Sequence, residues 1–205
     1  MEVRSPKGEE GLTMLKGGKA YTIADIEELP EGERAELIDG ELFRMDAPTW
    51  IHQDILVNLV FEIKKYIRKN TGKCKVMPAP FAVYIKKDKY NYVEPDISVI
   101  CDEGKKCEKG CQGAPDWIIE IVSSSSKTMD YERKVILYRE AGTCEYWIVD
   151  PAIETVTVYD FGRSASRGTG ERDSQATEAV QYAFSDRIKA GIFEDLWLNL
   201  SEMDF

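Results

Sequence analysis

Several residue types and patterns are scarce in this chain of 205 residues. It has one histidine, His52, which excludes a metal centre built on several imidazoles. Its five cysteines, Cys74, Cys101, Cys107, Cys111 and Cys144, include no C-x-x-C pair. The count is odd and no secretory pattern accompanies it, so free thiols are the expectation. Cys101, Cys107 and Cys111 share a Gly/Lys-rich loop, but their spacing does not match the paired short spacings of a structural zinc site. No apolar run approaches the roughly 18 residues that a membrane span needs. The N-terminal segment lacks the apolar core and cleavage pattern of a signal peptide, so a cytoplasmic location and no membrane partner are expected. Excess positive charge is also missing. Lys and Arg number 27 against 37 Asp and Glu, a net charge of −10. That excludes coating of nucleic acid or anionic membrane by bulk charge, although not a local basic patch.

What is present suits one folded domain. Hydrophobic residues make up 43% of the chain and charged residues 31%, enough apolar material for a core. Residues 1–20 are rich in Gly, Lys and Glu without periodicity and read as a mobile leader, leaving 21–205 as a single domain. Thr22 is placed to cap a short helix. Asp39-Gly40 between alternating segments signals a hairpin. From 49 to 70, Ile51, Ile55, Leu59 and Ile63 recur every four residues, which predicts an amphipathic helix ending near Gly72. Strand patterns follow over 81–85, 97–100 and 117–122. A helix over 130–141 and strands over 145–150, 155–159 and 180–184 complete the pattern. Residues 162–178 are polar and predict an exposed, mobile loop. This order implies an α+β fold, layered as in α/β proteins, with a mixed sheet flanked by helices and extra hairpins.

The chemistry centres on Glu120. It interrupts the run from Trp117 to Val122, a strand apolar enough to be buried on both faces. An ionised carboxylate there is expensive unless it is paired or binds a cation. Asp116 shares its strand and face, but at ~13 Å it is too far to share one ion. Asp96 follows Pro95 at the start of the preceding strand. If the two strands are neighbours at ~4.8 Å, Asp96 and Glu120 can share a hard cation, Mg²⁺ or Mn²⁺. A Pro-Asp, an acidic residue on the next strand and a lysine two positions on form the PD-(D/E)XK nuclease pattern. Here the lysine position holds Val122. Lys134, on the following helix, can swing back to the same spot. Its other reading is a surface lysine paired with Asp130 at i,i+4. Tyr138, one turn further, lines the same wall or joins the core.

The strings AELIDGEL, HQDILVNL, APFAVYI, VEPDISVI, GAPDWIIEIVS, DYERKVILYREAGTCEYWIVDP and VTVYDF together resemble the Uma-two family, a bacterial group of restriction-endonuclease-like proteins. The resemblance runs from about Tyr21 to Phe161. It implies a restriction-endonuclease-like core in the PD-(D/E)XK superfamily, a DNA substrate and a homodimer. It also implies Asp96 and Glu120 as metal carboxylates, Lys134 as the displaced lysine, Glu36 as the acidic residue ahead of the core, and His52 as the histidine of the first long helix. The family usually reads Ser-Pro-Ser after the glutamate strand. This chain has Ser123-Ser124-Ser125, which is expected to loosen the turn before Lys134.

A basic run of Lys64, Lys65, Arg68 and Lys69 either contacts phosphates or is a solvated helix face. Two functional readings follow, beside a third of a thiol or zinc protein built on Cys101, Cys107 and Cys111. One is metal-dependent phosphodiester hydrolysis at Asp96, Glu120 and Lys134. The other is a catalytically silent nuclease fold acting as an interaction or regulatory module, for which the acidic pI and the Val122 position speak.

Overall fold

The computed structural model describes residues 20–70, 72–124, 126–162 and 179–205. Residues 1–19 of the expected leader 1–20 and residues 163–178 of the expected loop 162–178 lie outside the described residues. Among the described residues no helix is long and apolar enough to cross a membrane.

Helix α1 (Ile23–Glu27) begins where Thr22 N and Oγ1 both donate to Asp25 Oδ2 at 2.9 Å. Strands β1 (Ala35–Ile38) and β2 (Glu41–Arg44) pair antiparallel. Asp39 and Gly40 join them with φ of 50° and 80°, the left-handed pair that a two-residue hairpin of this hand requires. Helix α2 (Trp50–Lys69) buries Ile55, Leu59 and Ile63, as the four-residue spacing demands, but leaves Ile51 of its first turn 40% exposed.

The later strands are β3 (Lys75–Pro78), β4 (Ala82–Tyr84), β5 (Ile97–Ile100), β6 (Lys106–Cys107), β7 (Gly110–Gln112) and β8 (Trp117–Ile121). A π-helical turn (Met129–Arg133) leads into α3 (Lys134–Ala141). Then come β9 (Glu145–Asp150), β10 (Thr155–Asp160), β11 (Ala179–Ala183), β12 (Ile188–Lys189) and β13 (Trp197–Leu198). The central sheet has six strands in the order β11-β10-β9-β8-β5-β3. Only β8 and β9 run parallel within it, joined by the α3 crossover, so the sheet is mixed.

Both faces of this sheet are covered. On one face Ile97, Val99, Trp117, Ile119, Trp147 and Val149 pack against Ile55, Leu59 and Ile63 of α2. On the other, Ile118, Tyr146 and Ile148 meet Leu137 and Tyr138 of α3, with Ile38, Val83 and Val93. Strand alternation therefore sends Trp117, Ile119 and Ile121 toward α2, and Ile118 and Glu120 toward α3.

The cysteines depart from the free-thiol expectation. Cys74 and Cys101 form a disulfide, with Cα atoms 3.9 Å apart. The cause is register. Lys75 pairs with Ile100, so the next positions outward, 74 and 101, face each other on adjacent strands. Cys107 and Cys111 keep free thiols, and burial pushes the Cys111 thiol up to about 11. With Cys101 in a disulfide, the three-cysteine zinc reading falls.

Candidate active site

The site begins with two neighbouring strands. Ile97 pairs with Ile119 across β5 and β8, and one further step sets Asp96 opposite Glu120. Each carboxylate is then held by the other's strand. Ile121 N donates to Asp96 Oδ2 at 2.8 Å, and Asp96 N donates to Glu120 Oε2 at 3.3 Å.

The displaced lysine arrives from α3. Lys134 Nζ lies 2.9 Å from Glu120 Oε1, 2.8 Å from Glu36 Oε2 and 3.5 Å from Asp130 Oδ1. It is 5% exposed, so the surface-lysine reading fails, although the expected Asp130 pairing is present as one of three. Tyr138 does both things its position allowed. It is fully buried in the α3-side core, and its hydroxyl donates to Glu120 Oε1 at 2.7 Å. At its described positions the serine turn carries two side-chain hydrogen bonds. Ser123 N donates to Ser126 Oγ at 3.0 Å and Ser126 N to Ser123 Oγ at 3.2 Å.

Glu36 comes from β1 and is buried, held where Glu94 N donates to its Oε1 at 3.0 Å. Glu94 is itself clamped by the Arg34 guanidinium and by Tyr92, whose hydroxyl donates at 2.6 Å. His52, in the first turn of α2, places Nε2 at 3.2 Å from Asp96 Oδ2. Its Nδ1 is buried with no hydrogen-bond partner among the described residues.

The electrostatics follow from burial. Desolvation raises Glu120 well above the ordinary carboxylate range. Lys134 pulls the other way, while Asp96, Asp130 and Glu36 add to the rise. Burial also pushes Asp130 up to about 6, against the pull of Lys134. For Lys134 burial opposes the charge, but Glu120, Glu36 and Asp130 outweigh it and hold the ammonium well above its usual range. Burial likewise disfavours protonated His52, and the hydrogen bond and charge of Asp96 overcome it, leaving the imidazole raised. Tyr138 is held far above its usual range by burial and by Glu120, so it stays a donor.

Among the described residues no three His, Cys, Asp or Glu side chains are grouped as a ready metal cage. The pair Asp96 and Glu120 nonetheless fits a hard dication of the kind that takes one or two carboxylates and completes its shell with water and phosphate oxygens. No hydrogen bond among the described residues reaches Asp96 Oδ1, and Asp96 is the most accessible carboxylate of the group, its side chain 16% exposed.

The five residues singled out from sequence, Asp96, Glu120, Lys134, Glu36 and His52, thus meet in one place. The basic residues Lys64, Lys65, Arg68 and Lys69 do not join them. They lie exposed on the second half of α2. Sequence reasoning missed Asp130 as a member of the cluster and missed the clamp of Arg34, Tyr92 and Glu94 behind Glu36. The acidic residue two places before Asp96 was the one available signal for that clamp.

No match was found among curated proteins. A solved structure described as a "putative nuclease belonging to DUF820" from Anabaena variabilis ATCC 29413 shares the fold. It superposes with a TM-score of 0.67 at 23% identity, over 89% of this chain and 96% of that one. The family model described as "Putative restriction endonuclease" matches residues 23–189, most of the chain and all of the site just described. The chain belongs to that family, Uma2.

Proposed function

We propose that the protein is a metal-dependent nuclease that hydrolyses phosphodiester bonds of DNA at Asp96, Glu120 and Lys134. One observation carries the reading. The Lys134 ammonium is buried, 2.9 Å from Glu120 and 2.8 Å from Glu36. A buried ion cluster is weak support for stability, because desolvation offsets most of the Coulomb gain. A cation beside two strand-held carboxylates does suit phosphoryl chemistry, where charge gathers on non-bridging oxygens.

A Mg²⁺ or Mn²⁺ ion held by Asp96 and Glu120 would polarise the phosphate and lower the pKa of a bound water. The chain's own groups do the rest. Lys134 keeps its proton, so its role is to donate hydrogen bonds and offset developing negative charge rather than to act as a base. Glu36 and Asp130 hold Lys134 in place, and Tyr138 fixes Glu120 Oε1. His52 and the Ile121 amide fix Asp96 Oδ2.

The test is cleavage of supercoiled plasmid with Mg²⁺ or Mn²⁺, with Glu120→Ala protein purified in parallel. Cleavage by the wild type alone supports the reading. Equal cleavage by both preparations means a contaminant. No cleavage by either, together with no stoichiometric Mn²⁺ site by calorimetry, favours the silent interaction module.

A further inference from the structure

The outer face of α2 sets exposed large apolar side chains in line with cations. It exposes Trp50, Val57 and Phe61 at 86%, 61% and 60%, and continues in the same direction into Lys64 and Arg68. Beside it runs a groove of about 610 Å³, lined by Leu56, Val57, Phe61, Lys64, Arg68 and, from edge strand β3, Pro78. Large apolar side chains left in water on one helix face mark a contact surface.

Two further observations identify what lies there. The first is charge. Lys64, Arg68 and Lys69 form no ion pair among the described residues, although the chain carries a net −10. Lys65, in contrast, is tied to Glu62 at 3.1 Å, with its ammonium 5.5 Å over the Phe61 ring. The second is continuity with the site. Leu56 is one helical turn beyond His52. Pro78 pairs with Ile97, the neighbour of Asp96, and Ala79 N donates to the Asp96 carbonyl at 2.9 Å. The groove therefore starts beside the Asp96 strand and leads away toward the free cations.

We propose that this groove is a track for a single-stranded nucleic acid segment leading into the site, which rests on the nuclease reading above. Phe61 offers a face for an unstacked base, with Val57 and Pro78 as apolar walls, and Lys64 and Arg68 take the phosphates. A duplex presents phosphates outward and hides its base faces, so it would satisfy the cations and leave Phe61 and Val57 in water. The substrate class is thus DNA with a single-stranded stretch, such as a flap, a gap or a free end.

The test separates binding from cleavage. Full-length protein carrying Glu120→Gln is titrated, in EDTA, into a fluorescently labelled oligothymidine and into the matching dT·dA duplex, and anisotropy is read. Single strand is expected to bind about tenfold more tightly than duplex. Phe61→Ala should weaken the single-strand complex by about tenfold, the scale of one lost base stack, and leave duplex binding unchanged. Lys64→Gln with Arg68→Gln should weaken it further and reduce the salt dependence by about 1.4 in the log–log slope, two contacts' worth for a single strand. These side chains are exposed, so the variants should fold, and circular dichroism checks that they do. Equal affinity for duplex, or no effect of Phe61→Ala, overturns the proposal. So does a dimer by sedimentation that Phe61→Ala converts to monomer, because the face would then bind a second copy. The two readings fail separately. Phe61-dependent binding with no Mg²⁺- or Mn²⁺-dependent cleavage of plasmid or of a flapped or gapped oligonucleotide would count against the nuclease and not the track. Glu120-dependent cleavage with no Phe61 effect would count against the track alone.

Discussion

On its α2 side the central sheet buries Ile97, Val99, Trp117 and Ile119 against Ile55, Leu59 and Ile63. On its α3 side the same strands bury Glu120 against Lys134, Glu36 and Asp130. Both regions exclude water almost completely. Only the first gains steadily from doing so, at about 25 cal/mol per Å² of apolar surface removed from solvent. Trp117 and Trp147 add an edge-to-face contact at 4.8 Å there. The second holds three carboxylates and one ammonium, and the desolvation of four ionisable groups consumes what their attraction returns. The α2 side holds the sheet by apolar burial alone, whereas the α3 side sets a charged cluster of small net stability beside a second apolar one.

That contrast breaks most sharply at Lys134. Lys134→Met should reduce cleavage by at least about 10²-fold, because the cation that offsets developing charge is gone. It should also destabilise the fold by about 3–5 kcal/mol, because Glu120, Glu36 and Asp130 are left without their counter-ion. Adding Glu120→Gln should recover part of the stability and none of the cleavage. Urea melts and plasmid assays on both variants check this. If Lys134→Met is neutral in both, the cluster is neither an ion pair nor a site.

Leu59→Ala tests the other face. Leu59 is fully buried under α2, so the change should cost about 2–5 kcal/mol. Mn²⁺ binding per folded molecule, measured by calorimetry below the melting transition, should be unchanged. A lost metal site would mean that the two faces are not independent.

The Cys74–Cys101 disulfide lies at the β3 edge and closes a sequence separation of 27 residues. By loop-closure entropy alone its removal should cost about 3.5 kcal/mol. Cys101→Ser, and wild type in dithiothreitol, should melt lower by the same amount, with Glu120-dependent cleavage kept. Unequal effects would locate the loss in packing rather than in the cross-link.

The smallest expected effect concerns Asp130. Burial raises its carboxyl from the ordinary 3.8 to about 6. Between those values the folded chain holds a proton that the unfolded chain has released. Its contribution to stability is therefore present below the ordinary value and lost as pH rises through about 6. Asp130→Asn should flatten the decline in urea midpoint between about pH 4 and 6. An unchanged pH slope would assign that decline to the other buried carboxylates.

Much of this was legible in the chain itself. The four-residue spacing of Ile51, Ile55, Leu59 and Ile63 predicted α2 to within a residue at each end. Asp39-Gly40 marked the hairpin because few residue pairs adopt two successive left-handed conformations readily. Glu120 stood out because a lone carboxylate in an apolar strand demands a partner. The partners were harder to read. Lys134 is 14 residues away on another element, and only the angle at which α3 returns over the sheet brings it to Glu120. The Arg34, Tyr92 and Glu94 clamp joins positions 60 residues apart and leaves no periodic trace. The disulfide depended on a strand register, and neither cysteine carries a local sign of it.

By itself, then, the order of residues determined the elements and the demand that Glu120 be compensated, because periodicity, turn chemistry and the cost of a buried charge are local properties. The tertiary structure decided which groups meet that demand. It set β5 against β8 so that Asp96 faces Glu120, folded α3 back so that Lys134 lies between Glu120 and Glu36, and paired Cys74 with Cys101. Those choices rest on strand register and helix packing, which are settled by the whole core burying its apolar surface at once and not by any single segment.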